Sequence, residues 1–361
     1  MTAAAVQGSI SGQALAAFKE LYRIARQTAG TENPAVKRLR FGPVAVDLTI
    51  SAGRFADLVL PAIEHAETGP APDAADNEPA DIAVAALDFD GPGPRPYRRL
   101  ESLLPGDDTF SYLTGAGYHA LWQADSRTLE TLRSDDGGAL YLTGSSADIA
   151  TWELAAPLRR LIHWRSLDAP RLIVHGAALR FDGIGLLLTG LSGSGKSTTT
   201  ARALDSGLES AGDDMVLVDL AGPKPVAHAL FDVVKIDTKA REGLGFVDRV
   251  EWRDIDIGTG KKRCPISAIR PGAFVRSMEI DAILMPTITG GEESRIVPVR
   301  AIEVARAMAP STMQILRGGE RKTLAKMAQL AHRADCHRLM LGTDAREVAE
   351  CLKHFCGERA G

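Results

Sequence analysis

Along the first 165 residues the apolar positions change period several times. Leu15, Phe18, Leu21, Tyr22 and Ile24 fall at helical spacing within 13–28. Val44, Val46, Leu48 and Ile50 alternate along the chain, which predicts a half-buried strand. The pattern predicts a helix over 54–66, strands over 82–89, 116–123 and 138–143, and a helix over 148–165. The segment TGPAPDAADNEPAD, 68–81, is rich in Pro, Ala and Asp and reads as a mobile loop inside the N-terminal domain.

The second half changes character. Short strands are predicted over 171–174 and 177–180. Residues 184–189, IGLLLT, form a nearly continuous apolar run of the kind found in strands covered on both faces. A glycine-rich turn, a helix over 196–204 and an apolar strand over 215–220 follow. The boundary falls near 166–171. The expectation is an α+β N-terminal domain, 1–168, followed by an α/β domain, 169–361.

Composition narrows the function without naming it. The 361 residues are 45% hydrophobic and 24% charged, ordinary for a folded globular chain. The net charge of −4 gives no basic excess for binding along nucleic acid. Residues 1–165 hold 15 basic and 21 acidic groups and the remainder 27 and 25, so the second half suits anionic ligands better. Cys264, Cys336, Cys351 and Cys356 match no zinc spacing and read as core residues. The N-terminus has no basic stretch leading into an apolar one, and no apolar run is long enough to span a bilayer. A cytoplasmic protein without membrane partners is expected.

The chemistry concentrates at residues 190–198. Gly190-Leu-Ser192-Gly193-Ser194-Gly195-Lys196-Ser197 fits G-x-x-x-x-G-K-[ST], with Thr198 next, between a predicted strand and a predicted helix. Glycines at these places let successive N–H groups turn inward around a phosphate. Lys196 would neutralise β- and γ-phosphate oxygens, and the Ser197 hydroxyl would ligate Mg²⁺. Seventeen residues after Lys196 stand Asp213 and Asp214, just before an apolar strand. Two carboxylates beside a triphosphate can divide two jobs, Asp213 holding Mg²⁺ and its neighbour taking a proton, or the reverse.

The run VHGAALRFDGIGLLLTGLSGSGKST, with His175-Gly176 ahead of the loop and Asp213-Asp214 after it, resembles the HPr kinase/phosphorylase family. That family shares its core with the ATP-dependent phosphoenolpyruvate carboxykinases. The resemblance implies a P-loop kinase domain of that type, ATP and Mg²⁺ as ligands, an aspartate as general base, and His175 tuning proton transfer beside it. It leaves a homo-oligomer open. A looser similarity to stand-alone HPr-kinase-like proteins takes in Val234-Lys235-Ile236-Asp237, the 301–309 helix with Pro310-Ser311-Thr312, and 338–344. The family's downstream glycine-containing segment finds only a loose echo at GLGFVDRV, 243–250, so neither HPr as substrate nor phosphorolysis carries over.

Lys235 is the best candidate for a further phosphate contact, because a lysine within the strand-like VVKID is unexpected. Lys239, Arg241, Lys261, Lys262, Arg263 and Arg270 are weaker ones. Residues 258–263 read as a mobile basic loop, and Arg317, Arg321, Lys322 and Lys326 as a solvated helix face. Together these features predict an ATP-dependent kinase for a hydroxyl acceptor, first of all a serine of a protein or peptide, with the N-terminal domain presenting it. A kinase for a small hydroxylated metabolite and a nucleotide-sensing scaffold with slow ATPase activity are the competing readings.

Overall fold

The structure is a computed structural model that describes residues 15–17, 19–25, 27–28, 34–69, 79–89, 108–109, 117–123, 126–254, 260–344 and 346–360. The fold is mixed α/β, and the chain separates into two compact units, Met1–Arg165 and Ser166–Gly361.

The first unit is built on an eight-stranded sheet. Its strands are β1 (Ala35–Phe41), β2 (Val44–Ile50), β3 (Glu67–Gly69), β4 (Ile82–Asp88), β5 (Asp108–Thr109), β6 (Tyr118–Gln123), β7 (Thr128–Arg133) and β8 (Gly138–Thr143). They lie in the order β3-β1-β2-β4-β8-β7-β6-β5. β4 runs parallel to both β2 and β8, and the other pairs are antiparallel.

Two helices expected as single pieces are broken. After Arg54–Val59 the chain tightens into 3₁₀ turns at Leu60–Ala62 and Glu64–Ala66, because Pro61 has no N–H to continue the ladder. The 148–165 segment divides into Thr151–Leu154 and Arg159–Ser166 around Pro157 and Leu158, the latter at φ 61°. Of the Pro-rich stretch, residues 68–69 extend β3, and 70–78 lie outside the described residues. Phe18 also lies outside them.

This unit holds a buried charge cluster that sequence periodicity gave no sign of. Arg159 donates to Glu153 at 2.7 Å, and Arg160 donates to Glu153 at 2.9 Å, pairs with Glu130 and reaches Gln123 at 2.6 Å. All four charged side chains are buried.

The second unit centres on a nine-stranded sheet. Its strands are β9 (Arg171–Phe181), β10 (Ile184–Thr189), β11 (Glu209–Ser210), β12 (Met215–Asp219), β13 (Val226–Ala229), β17 (Ser277–Glu279), β18 (Ala282–Ile288), β19 (Arg295–Pro298) and β20 (Asp335–Leu341). The order is β17-β13-β12-β9-β10-β18-β20-β19, with β11 also on β9. A separate three-stranded sheet joins β14 (Val234–Asp237), β16 (Lys261–Cys264) and β15 (Arg253–Asp254).

β10, β18 and β20 are parallel and covered on both faces. Leu186 and Leu188 pack with Ala203, Leu352 and Phe355 of helices Lys196–Asp205 and Glu347–Ala360. Leu187 points the other way, towards Val304, Met308, Met327 and Leu330 of helices Ala301–Ile315 and Glu320–Ala331. Cover on both faces explains the unbroken apolar run.

The two short strands expected at 171–180 are one. β9 runs through His175-Gly176 and changes partner there, pairing β12 over 171–175 and β10 over 176–181. A Cβ on Gly176 would lie 2.4 Å from the Leu188 carbonyl oxygen, so the backbones meet only because the residue is glycine.

Two readings of basic segments are corrected. Lys261–Cys264 is strand β16 rather than loop, because it pairs with β14 and β15 and its last residue, Cys264, joins the apolar cluster under the small sheet; residues 258–259 lie outside the described residues. Lys326 is not on a solvated face. It donates to the carbonyls of Ser166, Leu167 and Arg171 at 2.6, 2.9 and 3.0 Å, and burial pushes its ammonium down to about 8. The four cysteines are free, three of them buried. Among the described residues no group of three or more His, Cys, Asp or Glu side chains is arranged to hold a metal ion, and no helix is long and apolar enough to cross a membrane.

Candidate functional site

Residues 190–198 connect the end of β10 to helix Lys196–Asp205. Gly190, Gly193 and Gly195 sit at φ 146°, 78° and 102°, backbone conformations that side-chain-bearing residues rarely adopt. Gly195 caps the helix with left-handed geometry. The turn therefore presents backbone N–H groups and the positive end of a ten-residue helix to the same space. Ser192 and Gly193 are exposed, and Ser194, Ser197 and Thr198 are half-buried. The Ser194 hydroxyl oxygen has no hydrogen-bond partner among the described residues although it is shielded.

Lys196 is buried, and its ammonium donates to the carbonyls of Gly190 and Leu191, both at 2.9 Å. Burial lowers its pKa, opposed by the charges of Asp213 and Asp214. The group is thus held within the loop that would receive phosphate.

Asp213 and Asp214 stand on a turn pinned to β9. The Gly212 carbonyl accepts from the Ala178 N–H and the Asp214 carbonyl from the Gly176 N–H, both at 3.1 Å. Gly212 is at φ 123° and Asp214 at φ 78°. This backbone aims the two carboxylates at different partners.

Asp213 accepts from the Ser197 hydroxyl at 3.3 Å and from the Lys235 N–H at 3.1 Å. Burial and the neighbouring Asp214 charge push it up to about 6, against those two hydrogen bonds. Asp214 lies 2.5 Å from the Lys235 ammonium and 3.3 Å from His175 Nε2. Burial alone would raise Asp214, but the Lys235 charge and the His175 contact outweigh it and hold the carboxyl well below the usual range.

His175 is held by its backbone as well. Its N–H donates to Thr312 Oγ1 at 3.0 Å, and its carbonyl accepts from Thr189 Oγ1 at 3.4 Å. The imidazole Nδ1 is buried with no partner among the described residues.

The structure thus gathers His175, Lys196, Ser197, Asp213, Asp214 and Lys235 around one loop. It does not gather all the basic candidates. Arg270 holds the carbonyls of Gly207 and Leu208, both at 2.6 Å, and Arg241 lies over the Trp252 ring at 5.1 Å. Lys239 is exposed in a 3₁₀ turn. Ser311 and Thr312 were not among the site candidates. Ser311 donates to the Gly190 carbonyl at 3.1 Å across 121 residues. Their signals in the sequence are Pro310, which stands inside the helix, and the looser resemblance that takes in Pro310-Ser311-Thr312.

Chemically, a concave backbone donor set, a buried ammonium and two unlike carboxylates suit an oxyanion that gains charge during reaction. Ser197 Oγ and the Asp213 carboxylate are adjacent hard oxygen donors of the kind Mg²⁺ takes.

No family model matches the chain. It is 35% identical over 80 residues to the HPr kinase/phosphorylase of Leptospira biflexa serovar Patoc, in both strain Patoc 1/Ames and strain Patoc 1/Paris. The match covers 22% of this chain and 24% of each relative, so it reaches about a quarter of their length. Over that stretch the chain is similar to HPr kinase/phosphorylases.

Proposed function

We propose that this chain is an ATP-dependent kinase of the HPr-kinase-like P-loop type. It binds ATP with Mg²⁺ at residues 190–198 and passes the γ-phosphate to a hydroxyl, that of a serine in a protein or peptide. One observation carries the reading. Asp213 is hydrogen-bonded to Ser197 of the phosphate loop, while its neighbour Asp214 is kept ionised by Lys235 and His175. A loop that only held nucleotide would need one acidic group; this one has two in different electrostatic states. The partial similarity to HPr kinase/phosphorylases supports the same reaction class.

Lys196 turns from the Gly190 and Leu191 carbonyls to the β- and γ-phosphate oxygens. Ser197 and Asp213 would hold Mg²⁺, which offsets charge on the transferring group. Asp214, the more exposed of the two carboxylates, takes the acceptor proton. The hydroxyl oxygen forms a bond to the γ-phosphorus as the bond from that phosphorus to the β–γ bridging oxygen breaks, and ADP leaves. A loose transition state asks for little basicity, so a carboxylate of low pKa suffices.

The test uses γ-labelled ATP, Mg²⁺ and host-cell extract divided into protein and small-molecule fractions, with Lys196→Ala as control. Label on a macromolecule with wild type alone supports the reading. Label on a small compound replaces the protein acceptor with a metabolite, and free phosphate alone removes the acceptor altogether.

A further inference from the structure

Helix Ala301–Ile315 ends its buried face in Pro310-Ser311-Thr312, and both hydroxyls leave the helix. Serine and threonine inside helices usually turn back onto the preceding turn's carbonyl. Here Ser311 donates to the Gly190 carbonyl at 3.1 Å, and Thr312 accepts the His175 N–H at 3.0 Å. Adjacent residues on one helix therefore hold the first residue of the phosphate loop and the histidine beside Asp214.

We propose that Ser311 and Thr312 are a positioning clamp with divided duties. Ser311 sets the phosphate loop for nucleotide, and Thr312 sets His175, and through it Asp214, for transfer. This rests on the kinase reading above.

Ser311 anchors the Gly190 carbonyl. That carbonyl is buried and accepts from both Lys196 Nζ and Ser311 Oγ. When Lys196 swings to phosphate, Ser311 is the partner that remains, and a buried carbonyl left without one is costly. Gly190 also sits at φ 146°, so its orientation needs an external anchor.

Thr312 anchors strand β9. β9 changes partner between His175 and Gly176, and the His175 N–H goes to Thr312 instead of a neighbouring strand. Thr189 Oγ1 holds the carbonyl of the same residue. Both hydroxyls are buried. Together they fix the peptide from which His175 Nε2 reaches Asp214. Pro310 cannot donate to the Arg306 carbonyl, which loosens the turn that carries the two side chains.

The experiment compares Ser311→Ala, Thr312→Val and Thr312→Ser in the full chain. Nucleotide affinity is read with a fluorescent ATP analogue and Mg²⁺. Turnover is read as ADP release with host-cell extract as acceptor source, and hydrogen exchange follows peptides spanning 172–179 and 188–198. Ser311→Ala weakens nucleotide binding about tenfold and leaves saturated turnover within about twofold, the size of one buried hydrogen bond. Thr312→Val leaves affinity within about twofold, cuts turnover about tenfold and speeds exchange in 172–179, and Thr312→Ser restores most of the turnover. Parallel losses of affinity and turnover in both variants, tracking a fall in Tm, would mean packing alone and overturn the clamp. So would unchanged values throughout. If wild type gives no turnover with any fraction, the kinase reading fails, and the affinity split and the exchange of the two peptides still decide the clamp.

Discussion

Lys235 holds both aspartates, and its ammonium stands 2.5 Å from the Asp214 carboxylate. Its own backbone N–H donates to Asp213 at 3.1 Å, so a single residue of β14 fixes the pair from two directions. Val234 and Ile236 on either side are buried in the cluster beneath the small sheet, which leaves Lys235 facing the acid pair.

Lys235→Met removes the cation and leaves Asp214 with His175 alone. Loss of one partner of a largely buried pair costs about 3 kcal/mol, and urea denaturation reads it. Lys235→Arg keeps the charge and recovers most of that loss. An unchanged midpoint for Lys235→Met would show that the pair adds nothing to stability.

Gly176→Ala tests the meeting of β9 and β10. The added Cβ would approach the Leu188 carbonyl oxygen to 2.4 Å, a backbone atom that cannot rotate away. Overpacking of this kind costs about 1–3 kcal/mol. Thermal denaturation with and without saturating ATP separates the fold from the site: the loss persists in both, and nucleotide binding falls because β10, which carries Leu188, leads into the phosphate loop.

Much of the candidate site was legible because its signals are local. The glycines, Lys196 and Ser197 lie within eight residues, and the acid pair follows before an apolar strand. Lys235 stood out as a charge between buried neighbours. The contacts of Ser311 and Thr312 span 121 and 137 residues and carry no periodic trace. In the N-terminal unit, TLETLR (128–133) is strand β7 without a strand signature in the sequence, because the buried Glu130 makes it look like surface. Its cation, Arg160, lies at the far side of a helix broken by Pro157 and Leu158. Lys326 misled for the same reason: sequence shows its charge and not the three carbonyls it caps.

Arg160→Met tests that N-terminal cluster. Burial pushes the Glu130 carboxyl up, and Arg160 pulls against it. Without Arg160, Glu130 loses its ion-pair partner and Glu153 keeps only Arg159. The expected loss is about 3–5 kcal/mol, read by urea denaturation. Adding Glu130→Gln to the same chain recovers part of it, since one buried charge then disappears with its partner. A double variant no more stable than the single would show that Glu130 was already neutral.

The two adjacent aspartates should respond to pH with opposite signs. The folded protein holds a proton on Asp213 between the unfolded value of 3.8 and about 6, while the unfolded chain has released it. Stability from this group therefore falls as pH rises through that window and stays lower above it. Asp213→Asn removes the buried charge, and an amide can still accept from the Lys235 N–H while donating to Ser197. Measured by urea denaturation in EDTA, the variant should match wild type at pH 4 and exceed it by about 3 kcal/mol at pH 7. Asp214 is depressed instead, so its contribution is present above 3.8 and lost as pH falls. Asp214→Asn should accordingly weaken the protein at pH 7 and approach wild type in acid. Two variants that shift stability in the same direction at pH 7 would mean the pair shares one environment, and the division between a metal-directed carboxylate and a proton acceptor would go with it.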